Sequence, residues 1–234
     1  MQFFQPKIID FEDKTQLYST VVEHIFSLIS YTIGQEGSVR LAFSGGQTPF
    51  PVYEKLGRDS GLDWEGVEIY QTDERFSQNP VELNQIAIAE ALGQDTVGRL
   101  KSFNMMKVNQ TIQDAVRTYT ETLDSLDSPL FDLTVLGVGT DGHIASLFPN
   151  NSYLKHTDEL VLPTLAPAEF VSPERVSLSL ESVLNTKEII VLLVGSKKKG
   201  VLEEMLGGKK SATEFPAKFL LLHPNVVIFQ CLED

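Results

Sequence analysis

The chain has 234 residues, 42% hydrophobic and 22% charged, and its 19 Lys plus Arg against 32 Asp plus Glu give a formal charge of −13. That balance excludes nucleic acid and anionic membrane surfaces as partners, because each phosphate to be neutralised needs a Lys or Arg and no basic tract is present. The length and apolar fraction suit a globular core in a single α/β domain spanning 1–234, with no repeat, low-complexity run or composition shift to divide it.

One cysteine, Cys231, leaves no internal disulfide framework and no multi-Cys metal site, which points to a reducing compartment. The first residues, MQFFQPKIIDFEDK, contain no basic segment followed by an apolar run. No window offers the ~18 consecutive apolar residues of a membrane span. The expectation is a soluble cytoplasmic protein.

In chain order, 14–34 is the first predicted element, a long amphipathic helix with Leu17, Val21, Ile25, Leu28 and Ile29 at helical spacing and Gly34 as its C-cap. SVRLAFSGG (38–46) reads as a strand breaking into glycines. A helix over 48–56 follows, with Thr48 as N-cap and Pro49 at its first position. VEIYQTDE (67–74) is a second strand and 81–92 a helix. LFDLTVLGVG (130–139) is nearly continuous in apolar β-formers, as a central parallel strand covered on both faces should be. After a less regular stretch (150–187) containing the strand RVSLSL (175–180), EIIVLLVGS (188–196) leads into a helix over 197–206. Strands alternating with helices predict a doubly wound, mostly parallel sheet, with active chemistry at the carboxyl ends of the strands.

The polar, Gly-rich breaks fall at those ends. In SGGQTP (44–49), Ser44, Gly45, Gly46 and Thr48 sit between a strand and a helix N-terminus, where backbone N–H groups and the helix dipole favour an anion. An ordinary tight βα turn is equally compatible with that spacing. In TDER (72–75), Asp73 and Arg75 project to one side if the chain stays extended. The arginine suits a phosphate, carboxylate or oxyanion, with a surface salt bridge as the plain alternative.

LGVGTDGHIASLFPN (136–150) is the most informative stretch: three glycines surround Asp141 and His143 at the end of a buried strand. Histidine, with an ordinary pKa of ~6.5, can take and return a proton near neutrality, and a carboxylate two residues away can orient its ring. His24, His156 and His223 have no comparable company. Arg175 opens a strand after Pro173. Lys197, Lys198 and Lys199 follow Gly195 at a helix start, against the sign the dipole favours, which suits an anion partner, with a solvated surface lysine as the plain alternative for at least one of the three.

SGGQTP, TDER, GVGTDGHIASLFP, RVSLSL and GSKKKGVL, in that order, resemble the 6-phosphogluconolactonase family within the glucosamine/galactosamine-6-phosphate isomerase superfamily, from about residue 38 to 206. The resemblance implies a Rossmann-like α/β fold, no metal and no cofactor. It also implies hydrolysis of a small-molecule partner, the phosphorylated sugar lactone 6-phospho-D-glucono-1,5-lactone, in the pentose phosphate pathway. Position by position, His143 matches the family's catalytic histidine and Arg75 its active-site arginine, with Asp73 or Asp141 as orienting carboxylates. Ser44, Gly45, Gly46 and Thr48 match its sugar-phosphate loop; Arg175 and Lys198 match residues associated with the phosphate. FVSPER, before and including Arg175, departs from the family's fuller proline run. Two rivals share the fold. A glucosamine-6-phosphate deaminase has a Glu five residues beyond the histidine and a Tyr after the Asp-Glu pair, where this chain has Phe148 and Arg75. A sugar-phosphate sensor of a transcription regulator needs a DNA-binding segment, for which neither end here has the charge.

Overall fold

The computed structural model describes residues 3–59 and 61–233. Its strands are β1 (Lys7–Asp10), β2 (Val39–Phe43), β3 (Val67–Gln71), β4 (Asp73–Arg75), β5 (Ser102–Asn104), β6 (Phe131–Gly137), β7 (Val161–Leu165), β8 (Glu174–Leu178), β9 (Thr186–Val194) and β10 (Val226–Cys231). Seven of them pair in parallel in the order β1-β10-β9-β6-β2-β3-β5, and β4-β8-β7 form a separate antiparallel sheet. The helices are α1 (Lys14–Glu36), α2 (Phe50–Gly57), α3 (Asn84–Leu92), α4 (Gln94–Val97), α5 (Ile112–Asp124), α6 (Leu180–Leu184) and α7 (Lys199–Gly207).

The predominantly apolar stretches of β6 and β9 are explained by burial on both faces. Leu133 and Val135 of β6, with Ile190 and Leu192 of β9, join one core with α1 and α2. Phe131, Leu136, Ile189, Val191 and Leu193, from the same strands, join the other core with α5, α6 and α7. This is the expected doubly wound α/β architecture. Its strand order reverses between β2 and β6, so the turns that leave these neighbours diverge and open a crevice at their carboxyl ends.

Local chemistry moves several boundaries away from those expected. Asp13 accepts from the Gln16 N–H at 2.8 Å to start α1, but the helix ends at Gly37, not Gly34. Gly37 holds φ 78°, the left-handed conformation a C-cap requires, and its N–H reaches the Ile33 carbonyl at 2.9 Å. Thr48 does not cap α2. The Pro49 carbonyl already accepts from Val52 and Tyr53, so Pro49 is the capping position and the helix proper starts at Phe50.

The expected strand 67–74 is two strands. Thr72 donates its N–H to the Phe43 carbonyl at 3.1 Å while its own carbonyl accepts from Leu178 at 2.8 Å, and the chain passes there from one sheet to the other. The expected helix 81–92 is also divided, into a 3-10 turn over Pro80–Glu82 and α3. The buried Glu74 carboxylate accepts from the N–H groups of Asn84 (2.6 Å) and Gln85 (2.8 Å), which fixes the helix start. The expected strand 175–180 stops at Leu178 because Ser179 caps α6 through the Ser182 N–H at 3.2 Å. Lys197 and Lys198 occupy a 3-10 turn, and α7 begins only at Lys199. No element is read from the sequence at β1, β5, β7 or α5, although Thr111 caps α5 and Ala115, Tyr119 and Leu123 give it a buried face.

Candidate active site

The turns leaving β2 and β6, the strands β4 and β8, and the turn after β9 surround a cavity of about 230 Å³. Ser44, Gly45, Gly46 and Thr48 line it from the first turn, Asp73, Arg75 and Arg175 from the antiparallel sheet, His143 from the turn after β6, and Lys198 from the turn after β9. Asp141, the remaining expected residue, stands behind His143 instead of on the wall.

That pair is set by the local backbone. Asp141 Oδ1 lies 2.6 Å from His143 Nδ1 and also accepts the His143 backbone N–H at 3.2 Å. The turn is closed by Gly139 N–H to the His143 carbonyl (2.9 Å) and Gly142 N–H to the Gly139 carbonyl (3.0 Å). A Cβ at position 139 would overlap both His143 Nδ1 and Asp141 Oδ1, so this glycine makes the room the pair occupies. Just beyond, Ala145 holds φ 48°, a conformation that disfavours a non-glycine residue by ~1–2 kcal/mol and is found where surrounding structure imposes it.

Burial pushes the Asp141 carboxyl up, but the His143 side-chain hydrogen bond, the His143 charge and the backbone N–H bonds outweigh it and hold it below the usual carboxylate range. An ionised carboxylate only accepts, so the Nδ1 facing it carries the proton, and in the neutral imidazole the lone pair is then on Nε2. Phe148 and Phe170 pack on the imidazole, with ring centroids at 4.7 and 5.6 Å and the Phe170 ring edge-on.

Asp73 has different partners. It is buried, accepting from Ser146 Oγ at 2.7 Å and from Thr72 Oγ1 at 3.0 Å, and Asn84 Nδ2 donates to its carbonyl at 3.0 Å. Arg75 and Arg175 face each other across the β4–β8 pair. Arg75 Nη1 donates to the Glu82 carbonyl at 2.6 Å, and Arg175 donates through Nε to the Ser172 carbonyl at 2.6 Å and through Nη2 to the Val171 carbonyl at 2.8 Å. Desolvation, with some opposition from Asp73, lowers the Arg175 pKa. Burial likewise lowers that of Lys198, whose Nζ donates to the Val138 carbonyl at 2.5 Å. Lys197 and Lys199 are exposed, and Lys199 lies beside Glu233.

Ser44 Oγ accepts from the Gly137 N–H at 3.3 Å, joining the first turn to the end of β6 and leaving its hydroxyl proton for another acceptor. The other three histidines lie elsewhere: His24 against Glu188 (2.5 Å), His156 against Glu181 (2.8 Å), and His223 buried against the Thr186 carbonyl (2.8 Å). Phe170 and Asn84 also line the cavity, and no motif in the sequence reading marks them. Glu74 lies inside TDER and could have been noticed there: a buried acid beside a polar loop is suited to holding a helix N-terminus. No group of three or more His, Cys, Asp or Glu among the described residues is placed to share a metal ion. No helix among them is long and apolar enough to cross a membrane.

A doubly wound sheet with a carboxylate-bound histidine and three cations at its strand ends belongs to a recognised class. The chain is a member of the family described as Glucosamine-6-phosphate isomerases/6-phosphogluconolactonase, whose model matches residues 12–228. Within that family it is 30% identical over 234 residues to the Dictyostelium discoideum protein named "Probable 6-phosphogluconolactonase", covering 95% of this chain and 98% of the other. The 6-phosphogluconolactonase of Shewanella baltica superposes with a TM-score of 0.87 at 26% identity, covering 97% of this chain and 99% of that one. A monomeric glucosamine-6-phosphate deaminase matches with a TM-score of 0.78 at 21% identity, covering 95% of this chain and 96% of that one, a likeness of fold alone.

Proposed function

We propose that this chain hydrolyses 6-phospho-D-glucono-1,5-lactone to 6-phosphogluconate, the oxidative pentose phosphate step, as a carboxylic ester hydrolase. The observation that carries the reading is the juxtaposition, in one cavity, of a His143–Asp141 pair with Arg75, Arg175 and Lys198. The names of the similar proteins support it. Phe148 argues against the deaminase reaction, because a buried phenyl ring stands where that reading requires a carboxylate.

A lactone demands three things: removal of a proton from water as it attacks C1, stabilisation of charge on the carbonyl oxygen, and a proton for the departing ring oxygen. His143 Nε2 takes the first proton, the imidazolium being stabilised by Asp141, and returns it to the ring oxygen. Arg75 meets the developing oxyanion or a sugar hydroxyl. Arg175, Lys198 and the 44–48 turn receive the phosphate, and Asp73 holds Ser146 in place and sets the charge between the arginines.

The same reading takes 1–234 as one domain, since the chain passes repeatedly between the two sheets, once through the single residue Thr72. It places the protein in the cytoplasm, in keeping with one buried, unpaired Cys231, and gives it neither nucleic acid nor membrane as a partner.

The decisive experiment is His143→Asn, assayed by proton release on freshly generated lactone with the spontaneous opening subtracted. The expected result is a fall in kcat of ~10²–10⁴, with the affinity for 6-phosphogluconate within about threefold of the original because the cations are untouched. An unchanged kcat would remove His143 from the chemistry.

A further inference from the structure

Facing arginines on adjacent antiparallel strands repel one another, yet Arg75 and Arg175 both reach one cavity. What holds them is neutral: Arg75 Nη1 and Arg175 Nε and Nη2 donate to backbone carbonyls, and no carboxylate lies within ion-pair distance of either guanidinium among the described residues. Carbonyls aim a guanidinium without spending its charge, so both cations remain available to an anion.

The three carbonyls belong to two segments that touch each other. Arg75 is held by the carbonyl of Glu82, at the end of the Pro80–Glu82 turn, and Arg175 by the carbonyls of Val171 and Ser172. Ser172 Oγ donates to Glu82 Oε2 across the gap between these segments. The Glu82 carboxylate is itself fixed by Ser77 Oγ at 2.7 Å and Asn79 Nδ2 at 3.0 Å, and these hydrogen bonds, with that from Ser172, hold its pKa below the usual range. On the other side Ser172 adopts φ 53°, a left-handed conformation unusual for serine, which turns its carbonyl toward Arg175 while its hydroxyl reaches Glu82. The span falls within FVSPER, where the chain departs from the proline run of the resemblance; proline has no hydroxyl to make such a contact.

We propose that the Ser172–Glu82 contact is a latch that positions the Arg75–Arg175 pair for the anionic ligand, making Ser172 and Glu82 positioning residues that act through the arginines. The proposal rests on the reading above, in which Arg175 meets the substrate's phosphate. Without the latch the Glu82 carbonyl and the Val171 and Ser172 carbonyls are free to drift apart, and the two guanidiniums separate as their repulsion directs.

The test is the affinity for 6-phosphogluconate, measured by calorimetry on Ser172→Ala, Ser172→Gly, Glu82→Ala and Arg175→Ala, on the corresponding doubles, and on Ser172→Ala with both arginines replaced. Loss of one hydrogen bond predicts a weakening of roughly fivefold for Ser172→Ala and for Glu82→Ala, and no further loss when the two are combined. Ser172→Gly relieves the backbone conformation but lacks the hydroxyl, so it should weaken binding as much as Ser172→Ala does. In the Arg175→Ala background Ser172→Ala should have a smaller effect, carried by Arg75 alone, and with both arginines replaced by alanine almost none, whereas a merely structural role would weaken binding by the same factor in every background. Unchanged affinity in Ser172→Ala, full affinity in Ser172→Gly, or an equal loss with and without Arg175 each overturns the latch. Wild-type affinity in Arg175→Ala overturns both the latch and the phosphate role of that arginine. Binding that follows the predicted pattern in a protein lacking lactone hydrolysis sinks the functional reading and leaves the latch standing.

Discussion

The two walls of the cavity are built on different principles. On the parallel-sheet side, strands end abruptly in glycine turns, and short-range geometry does the positioning: Gly139, Asp141 and His143 lie within five positions of one another and need only their own backbone to meet. On the antiparallel side, Arg75 and Arg175 are a hundred positions apart in sequence. Their meeting depends on strand pairing, on the turn at Pro80–Glu82 and on the segment before β8. One wall is rigid because it is local, and the other is adjustable because it is assembled from afar.

The largest expected effect probes the local wall. In Gly139→Ala the backbone is not left-handed, so alanine is acceptable there, but its methyl group overlaps both members of the His143–Asp141 pair. We expect kcat to drop by at least ~10²-fold, most of what an acid–base group contributes, with 6-phosphogluconate affinity retained within about threefold. Stopped-flow proton release and calorimetry on the same preparation would decide. A comparable loss of affinity would mean that the two walls are not separable in this way.

This contrast also explains what the sequence made legible. The doubly wound sheet could be read because its central strands are predominantly apolar and its breaks are glycine-rich. The His143 turn was recognisable because all its parts are adjacent. Arg175 and the three lysines after Gly195 stand out in the sequence as cations near strand ends, but only the resemblance implies a phosphate role for Arg175 and selects Lys198 among the three. The structure separates the lysines by burial: Lys198 faces the cavity and Lys197 and Lys199 face solvent. Phe170, Glu82 and Ser172 were illegible because their importance lies in contacts between segments with no periodic pattern. The boundary errors have the same origin. Thr72 divides the expected strand because the Phe43 carbonyl and the Leu178 N–H, 135 positions apart in sequence, claim its backbone, and the start of α3 is set by a carboxylate ten positions upstream.

A smaller effect is expected from Asp141→Asn, which keeps the shape of the turn but no longer favours the imidazolium. A loss in kcat of between ~10- and ~100-fold, part of the acid–base contribution, should be accompanied by a pH signature. The folded-state pKa of Asp141 is depressed by its hydrogen bonds to His143, against the opposing push of burial. A depressed acid contributes stability above its ordinary value of ~3.9 and loses it as pH falls through the lower folded value. The stability difference between the original protein and Asp141→Asn should therefore be constant from about pH 5 to 7 and shrink below about pH 4. Urea titrations at the two ends measure it. A difference that widened toward acid would show that the aspartate is held protonated, and the proton on Nδ1 would have to be reassigned.

The smallest effect concerns the whole molecule. A formal charge of −13 opposes the approach of a phosphorylated substrate, while the antiparallel wall presents two arginines hydrogen-bonded to carbonyls and ion-paired to no carboxylate among the described residues. Capture then depends on a focused local field working against a diffuse opposing one. Raising ionic strength from ~0.01 to ~0.1 M shortens the Debye length from ~30 to ~10 Å, which screens the distant acids before it reaches a cation in contact with its ligand. KM should consequently stay level or fall by up to about twofold over that range, and the fall should be greater in Arg175→Ala, where less local attraction is left to lose. A steep rise in KM with salt would mean that long-range attraction dominates and that the acidic surface is arranged away from the cavity mouth, so that the adjustable wall, with its latch, governs encounter as well as grip.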